Sequence, residues 1–352
     1  MKKDDKDLYI DKLLKEAILK KASDLHITVG VQPAFRIDGQ LCFSEYDKLN
    51  SNDTTKLFES ISTLKQQSTL EELGEIDFSY FLAEYGRFRV NAFKQRGMVA
   101  MVIRIIPNDI PTLKDGKYPA VLRTLSLKKN GLVLITGPAG SGKSTTVAAM
   151  IDLINQSQAL HIITMEDPIE YLHRHQKSII HQREIYTDSK SFSNSLRGAL
   201  REDPDVIFIG EMRDLETMSI AITAAETGHL VFATLHTPDA IQTVDRIIDA
   251  FPHYQQQQIR SQLSMTLRGI ISQQLLPKKD HSGRIALFEI MIVTPAIRNI
   301  IREGKTPQIM SHIQTGVALG MQSFDMALQT LLRQNLITKG IALDYASDQK
   351  NI

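Results

Sequence analysis

Residues 137–144 read GPAGSGKS and fit the pattern G-x-x-x-x-G-K-[ST]. They lie between the apolar run 132–135, which predicts a strand, and residues 145–155, which predict a helix. Glycines let the backbone curl so that successive N–H groups point inward, and the start of the following helix adds partial positive charge. A loop of this kind holds phosphate groups. The pattern therefore predicts an α/β domain that binds a nucleoside triphosphate.

The residue types of this loop have separate chemical roles. Lys143 would reach the β- and γ-phosphates, and the Ser144 hydroxyl would hold Mg²⁺. ATP and Mg²⁺ are therefore the expected cofactors. A glycine-rich turn that only connects a strand to a helix is the alternative, and it requires the lysine and the serine to fall in register by accident. The predicted nucleotide-binding residues are Pro138, Ala139, Gly140, Ser141, Gly142, Lys143, Ser144 and Thr145.

Length and charge limit the remaining possibilities. A chain of 352 residues predicts about two domains, each with its own core. The 41 basic residues are balanced by 40 acidic ones, so no global positive field attracts nucleic acid or an anionic bilayer. Cys42 is the single cysteine, which excludes an internal disulfide, and we expect it in a half-buried strand. The charged N-terminal segment and the lack of long apolar runs favour a soluble cytoplasmic protein without membrane insertion.

The pattern of predicted elements changes once along the chain. Residues 1–108 contain short strand-like segments separated by turns, which predicts a small α+β domain. Prolines and polar residues at 109–119 predict a linker. In 120–352, apolar runs alternate with helical patterns, which is typical of a parallel sheet covered on both faces. We expect a helix at 254–275 and an almost entirely helical C-terminal part from about 290.

Two acidic segments follow predicted strands. Residues 205–211 carry an apolar run that ends in Glu211, the shape of a Walker B strand, whose acid orients water or metal at the γ-phosphate. Residues 165–170 place Glu166 and Glu170 around a proline, and these carboxylates would face Mg²⁺. Each segment alone also fits a bland interpretation, as a strand that ends in glutamate or as a solvated acidic turn. Their position after a phosphate loop favours function, because parallel sheets carry their chemistry at strand ends.

A two-residue period separates arginines from apolar residues at 86–90. Arg87 and Arg89 share one face of the predicted strand, and Phe88 and Val90 share the other. Arg104 falls on the returning strand. A phosphate loop that supplies only one lysine needs further positive charge at the γ-phosphate, since charge spreads over its oxygens in the transition state. A solvated strand face is the open alternative for these arginines.

Four segments together resemble the Walker A, Asp-box, Walker B and His-box motifs of the secretion-superfamily ATPases that power type II secretion and type IV pili. They are GPAGSGKSTT, MEDPIEY, LRGALREDPDVIFIGEMRD and TGHLVFATLHT. Within this superfamily, ASDLH, GRFRVN, AIRNIIRE and GMQSFD are most similar to the pilus retraction branch. Secretion and pilus-assembly ATPases usually carry a longer N-terminal region and a four-cysteine insert, and this sequence has neither. An accessory retraction ATPase and an assembly or secretion ATPase stay as alternatives.

The resemblance implies the fold and the site residues. It implies a RecA-like ATPase domain preceded by a smaller PAS-like domain. Glu211 would polarise the attacking water and contact Mg²⁺ through water, and Glu166 and Glu170 would support the metal and the water. His229 and His236 would couple the γ-phosphate to neighbouring elements, although isolated histidines are more often core residues.

The resemblance also implies an assembly. It implies a homo-oligomeric ring, most often a hexamer, at the inner face of the cytoplasmic membrane. In that ring, Arg87, Arg89 and Arg104 would approach nucleotide at a domain or subunit interface. An inner-membrane pilus platform protein and a paralogous retraction ATPase are the expected partners, and nucleic acid is not. A nucleic-acid motor on a similar core and a scaffold that binds ATP without hydrolysing it are the competing classes.

Overall fold

The computed structural model describes residues 10–37, 39–106, 110–113, 118–280, 282–347 and 349. The chain divides into two compact units, Met1–Asp109 and Ile110–Ile352. The linker expected at 109–119 lies partly outside the described residues, and the domain boundaries stay predictions. Within the described ranges, no helix combines the length and the apolar character needed to cross a bilayer.

In its described residues, the first unit consists of an antiparallel six-stranded sheet and three helices. Its strand order is β3-β2-β1-β6-β5-β4. The core is formed by apolar side chains of the helices and of the inner strands, including Leu13, Phe58 and Phe88. The elements are α1 (Ile10–Leu19), β1 (Asp24–Ile27), β2 (Ala34–Ile37), β3 (Gln40–Phe43), α2 (Ser51–Ile61), α3 (Leu64–Leu73), β4 (Glu75–Leu82), β5 (Gly86–Gln95) and β6 (Met98–Ile105).

Cys42 departs from the expectation for this unit. We expected it in a half-buried strand, but β3 is an edge strand in which every residue is exposed, and Cys42 is exposed with it. The alternation of side chains in a strand predicts burial only where a second layer covers one face.

The second unit contains a seven-stranded sheet in the order β13-β12-β7-β11-β10-β8-β9. All neighbouring strands are parallel except β12 and β13, which are antiparallel. The first elements are α4 (Val121–Ser126), β7 (Gly131–Thr136), α5 (Lys143–Ser157), β8 (His161–Glu166), β9 (Ile179–Glu184), α6 (Phe192–Ala199), β10 (Val206–Ile209), α7 (Leu215–Glu226) and β11 (Leu230–Leu235). The later elements are α8 (Ala240–Asp249), α9 (His253–Thr266), β12 (Leu267–Pro277), β13 (Arg284–Ile292), α10 (Pro295–Glu303), α11 (Ile309–Thr315), α12 (Phe324–Arg333) and α13 (Lys339–Tyr345).

The central strands are buried on both faces, which explains their continuous apolar sequences. Every residue of β7, β10 and β11 is buried. Alternate residues of β7 belong to different core clusters, with Leu132 and Leu134 on one side and Val133 and Ile135 on the other. Helices therefore cover both faces of a mostly parallel sheet, and the predicted α/β architecture is confirmed.

Two sequence predictions for this unit are wrong. The helix expected at 254–275 ends at Thr266, and the residues that follow form β12. Leu267 and Ile270 enter the sheet beside β7, where their side chains are buried on a parallel neighbour. The helical C-terminal part begins at Pro295 rather than near 290, because 284–292 pair along β12 as β13.

Candidate nucleotide site

The phosphate loop connects the end of β7 to the start of α5. Gly137, Gly140 and Gly142 have φ angles of +140°, +74° and +88°, a region that side chains with a Cβ rarely adopt. These angles turn the backbone around a hollow in front of α5. The first N–H groups of that helix have no intrahelical acceptor, so they are available to an anion.

The side chain of Lys143 folds back onto the phosphate loop. Its Nζ donates to the carbonyl oxygens of Gly137 at 2.8 Å and Pro138 at 3.0 Å. Burial lowers the pKa of Lys143, and the charges of Glu211 and Glu170 oppose that shift without cancelling it. The Ser141 hydroxyl is buried and has no hydrogen-bond partner among the described residues. An ammonium, an unpaired hydroxyl and helical N–H groups together fit a polyanionic ligand.

Three of the predicted carboxylates converge beside the loop. Glu166, Glu170 and Glu211 line a cavity of about 60 Å³ together with Ser144. Glu166 ends β8, and Glu211 follows β10 by two residues. Since these strands are parallel, their carboxyl ends meet at the edge of the sheet where α5 begins.

Glu166 is a buried carboxyl held by its neighbours. Its Oε1 accepts hydrogen bonds from Thr164 Oγ1 at 2.6 Å and from Gln182 Nε2 at 3.2 Å. Burial raises the pKa of Glu166 to about 7, although both of these hydrogen bonds act to lower it. Near neutral pH this carboxyl is therefore divided between its protonated and ionised forms.

Glu211 has the opposite electrostatic setting. Its Oε2 lies 2.7 Å from Arg213 Nη2, and its Oε1 lies 3.2 Å from His236 Nε2. Partial burial raises the pKa of Glu211, but the hydrogen bonds and charges of Arg213 and His236 outweigh it, and the net pKa lies below its usual value. Glu211 is thus an ionised hydrogen-bond acceptor at neutral pH, which suits it to polarise water.

The two histidines of strand β11 are separated by the strand. His236 follows the C-terminal end, where its Nδ1 is 3.5 Å from Lys143 Nζ. His229 precedes the first residue and contacts Ala224 O through Nδ1 at 2.9 Å. Six residues of strand place the two histidines about 20 Å apart, at opposite edges of the sheet. Within this unit the structure places His236, and not His229, beside the phosphate loop, and the roles of both histidines stay predictions.

The predicted arginines all lie in the first unit. Arg87 and Arg89 alternate with the buried Phe88 and Val90 on β5, as the two-residue period predicted. Arg104 is the direct cross-strand partner of Arg89 on β6. Opposed like charges are destabilising, and two acids offset them. Asp24 lies 3.0 Å from Arg104 Nε, and Asp77 lies 3.7 Å from Arg89 Nε.

A larger cavity of about 530 Å³ adjoins the other side of the phosphate loop. Gly142 and Thr145 border it, together with Gln273, Tyr118 and Arg284. A volume of this size is in the range of pockets that hold small organic ligands. The cavity thus adjoins residues that are predicted to bind the phosphates.

Several residues of the site were not found from the sequence. Arg213 lies beside Glu211, Tyr171 OH is 3.0 Å from Thr145 Oγ1, and Gln182 holds Glu166. Arg213 had a signal, since it is two residues after the Walker B acid. Gln182 had none, because it belongs to β9, a strand that we did not predict. Among the described residues, no group of three or more His, Cys, Asp or Glu side chains is arranged to hold a metal ion.

Comparisons with known proteins agree with this geometry. Residues 2–333 match the family described as "Type II/IV secretion system protein". A protein of Pseudomonas aeruginosa named "Type IV pilus retractation ATPase PilT" is 47% identical over 342 residues, which cover 97% of this chain and 99% of that protein. The "Type IV pilus ATPase PilU" of the same species is 41% identical and covers 97% of this chain and 90% of its own length.

A solved structure extends the comparison to three dimensions. A structure described as the pilus retraction motor PilT with bound ADP superposes with a TM-score of 0.92 at 51% identity, covering 98% of this chain and 99% of that one. The predicted resemblance and the nucleotide-binding α/β fold are thereby confirmed. This chain belongs to the type II/IV secretion system protein family.

Proposed function

We propose that this chain is an ATPase that drives type IV pilus retraction. The observation that carries the proposal is the convergence of Lys143, Glu211 and His236 in a chain that is 47% identical to a named retraction ATPase along nearly its whole length. The similarity to PilU is lower, at 41%. An accessory retraction motor is therefore the second candidate, and an assembly or secretion ATPase is the third.

ATP with Mg²⁺ is the substrate that fits the site. Lys143 and the loop N–H groups would bind the β- and γ-phosphates, and the buried Ser141 hydroxyl would complete its hydrogen bonding there. The Ser144 hydroxyl and Glu166 would hold Mg²⁺, and Glu211 would contact it through water; all three residues line the same cavity. The metal would neutralise charge on the phosphate oxygens. Magnesium usually keeps several waters and binds substrate phosphates, so it needs few ligands from the protein.

Glu211 is the residue that we assign to the attacking water. It is ionised, lines the same cavity as Ser144, and is fixed from two sides by Arg213 and His236. Glu170 is exposed at the rim of this cavity and adds negative charge near Lys143. Glu170 would support the water and the metal rather than replace Glu211.

The mechanical step requires more than one copy of the chain. We propose a ring, most often a hexamer, in which Arg87, Arg89 and Arg104 approach nucleotide at a domain or subunit boundary. ATP can shift the ring between two conformations only if it binds one of them more tightly than the other. Contacts to the γ-phosphate would supply this difference in affinity. Hydrolysis would remove the γ-phosphate contacts and let the domains separate. This motion would pull on a platform protein at the inner face of the cytoplasmic membrane.

Gene deletion in the native organism tests the direction of motion. Cells that accumulate surface pili but lose twitching support a retraction motor, whereas cells without pili indicate an assembly motor. Retained retraction that becomes weaker under load indicates an accessory role. ATPase activity that DNA stimulates would indicate a nucleic-acid motor instead, and binding of ATP without turnover would indicate a scaffold.

A further inference from the structure

Strand β12 lies directly beside the strand that leads into the phosphate loop. Ser272 of β12 pairs with Thr136, the last residue of β7, and their hydroxyl oxygens are 3.0 Å apart. The next residue, Gln273, therefore lies next to Gly137, where the loop begins. Its side chain is 2% exposed, although glutamine is a polar residue that usually remains in solvent.

Gln273 contacts the loop at its beginning through the backbone. A Cβ atom at position 137 would lie 2.2 Å from the carbonyl oxygen of Gln273, so only glycine permits this approach. This contact is a second reason, besides the positive φ angle, why the first loop residue is glycine. Strand β12 thus packs directly against the first residue of the loop.

The same residue contacts the end of the loop through its side-chain amide. Oε1 accepts a hydrogen bond of 2.7 Å from Thr146 Oγ1 in the first turn of α5. Nε2 lies against Gly142, where a Cβ atom would be only 2.8 Å away. One buried side chain therefore touches the last glycine of the loop and the helix that carries Lys143 and Ser144.

We propose that Gln273 is a positioning residue for nucleotide binding and hydrolysis, which fixes both ends of the phosphate loop against β12. The proposal rests on the proposed function, because a nucleotide is the ligand that the loop holds. Glycine-rich segments lose more backbone freedom on ordering than other sequences, and a loop that is ordered beforehand avoids part of that loss on binding. Gln273 would act through its contacts with Gly137, Gly142 and Thr146.

The test compares two isosteric substitutions on adjacent residues. Gln273→Met keeps the length of the side chain and removes the amide, and Gln274→Met is the matched control because Gln274 is half-buried and points to the other face of β12. ADP affinity is measured by fluorescence titration, and kcat and KM by steady-state ATP hydrolysis. We expect Gln273→Met to weaken ADP binding on the order of tenfold and to lower kcat by about tenfold or more. Gln274→Met should stay within about twofold of the wild type for both quantities.

A double variant separates positioning from simple stability. Gln273→Met leaves the Thr146 hydroxyl buried without its acceptor, whereas Gln273→Met with Thr146→Val replaces both partners by apolar groups, which is nearly neutral for stability. If Gln273 positions the loop, the double variant recovers the nucleotide-free melting temperature while ADP affinity stays low.

Recovery of wild-type affinity and kcat in the double variant would refute the proposal, as would a Gln273→Met variant that binds and hydrolyses normally. A wild-type chain that binds ADP but does not hydrolyse ATP would refute the proposed function alone, and the ADP titrations would still decide the role of Gln273.

Discussion

His236 is the residue whose removal tests the geometry of the site most directly. Its Nδ1 is 3.5 Å from Lys143 Nζ, and its Nε2 is 3.2 Å from Glu211 Oε1. An ionised carboxylate can only accept, so the His236 Nε2–H donates to Glu211. His236 thereby bridges the phosphate-binding lysine and the carboxylate assigned to water. His236→Ala removes both contacts.

The size of the effect follows from the contact to Glu211. Hydrogen bonds to charged groups contribute about 1.5–3 kcal/mol, and a side chain that is 46% exposed belongs at the lower end of that range because solvent screens it. A loss of about 1.4 kcal/mol lowers a rate tenfold. We therefore expect kcat for ATP hydrolysis to fall about tenfold. KM should change less, because Lys143 keeps its bonds to the loop carbonyls of Gly137 and Pro138.

The matched control is the other histidine of the same strand. His229→Ala removes an imidazole about 20 Å from the loop, so we expect its kcat to stay within about threefold of the wild type. Both variants are measured by steady-state phosphate release on the purified full-length protein, with circular dichroism to verify folding. The reasoning fails if His236→Ala hydrolyses ATP normally. A large loss in His229→Ala would show that this histidine acts on the site of a neighbouring copy.

Three further outcomes are expected. Glu211→Gln should lower kcat by about 100-fold or more while ADP affinity, measured by titration, is unchanged, and a normal rate would remove its assignment to water. The folded pKa of Glu166, about 7, exceeds its usual 4.5, so its contribution to stability falls as pH rises between these values. The melting temperature of the Glu166→Gln variant should therefore fall less than that of the wild type between about pH 5 and about pH 8. Changing Arg89 and Arg104 together to Gln should lower kcat about 1000-fold with ADP affinity retained if they supply transition-state charge; an unchanged rate would identify a solvated strand face.

The fold was predictable from the sequence where neighbouring residues alone determine the backbone conformation. The phosphate loop, the buried strands around it and the alternation on β5 follow from glycine angles and side-chain period. The segment Leu267–Pro277 was not predictable in this way, because its apolar and glutamine residues are compatible with a helix or a strand. Its conformation is decided by pairing with β7, which is distant in sequence.

The site was predictable to the extent that strand direction determines it. Parallel strands bring their carboxyl ends to one edge, and Ser144, Glu166 and Glu211 line one cavity there. The same rule places His236, which follows β11, at this edge, and His229, which precedes β11, at the other end of the strand. The motif alone does not distinguish the two histidines, whereas strand direction does. The roles of the first-unit arginines stay predictions.

The electrostatics of the site could not be predicted from residue types, because two glutamates in one cavity have opposite pKa shifts. Glu166 is surrounded by protein and held by Thr164 and Gln182, so burial dominates and its pKa rises to about 7. Glu211 is more open and lies between Arg213 and His236, so positive partners dominate and its pKa falls. Carboxylates whose environments separate their pKa values take different roles in acid–base chemistry. The ionised Glu211 is therefore the one suited to polarise water, and Glu166 is the one whose charge depends on pH near neutrality.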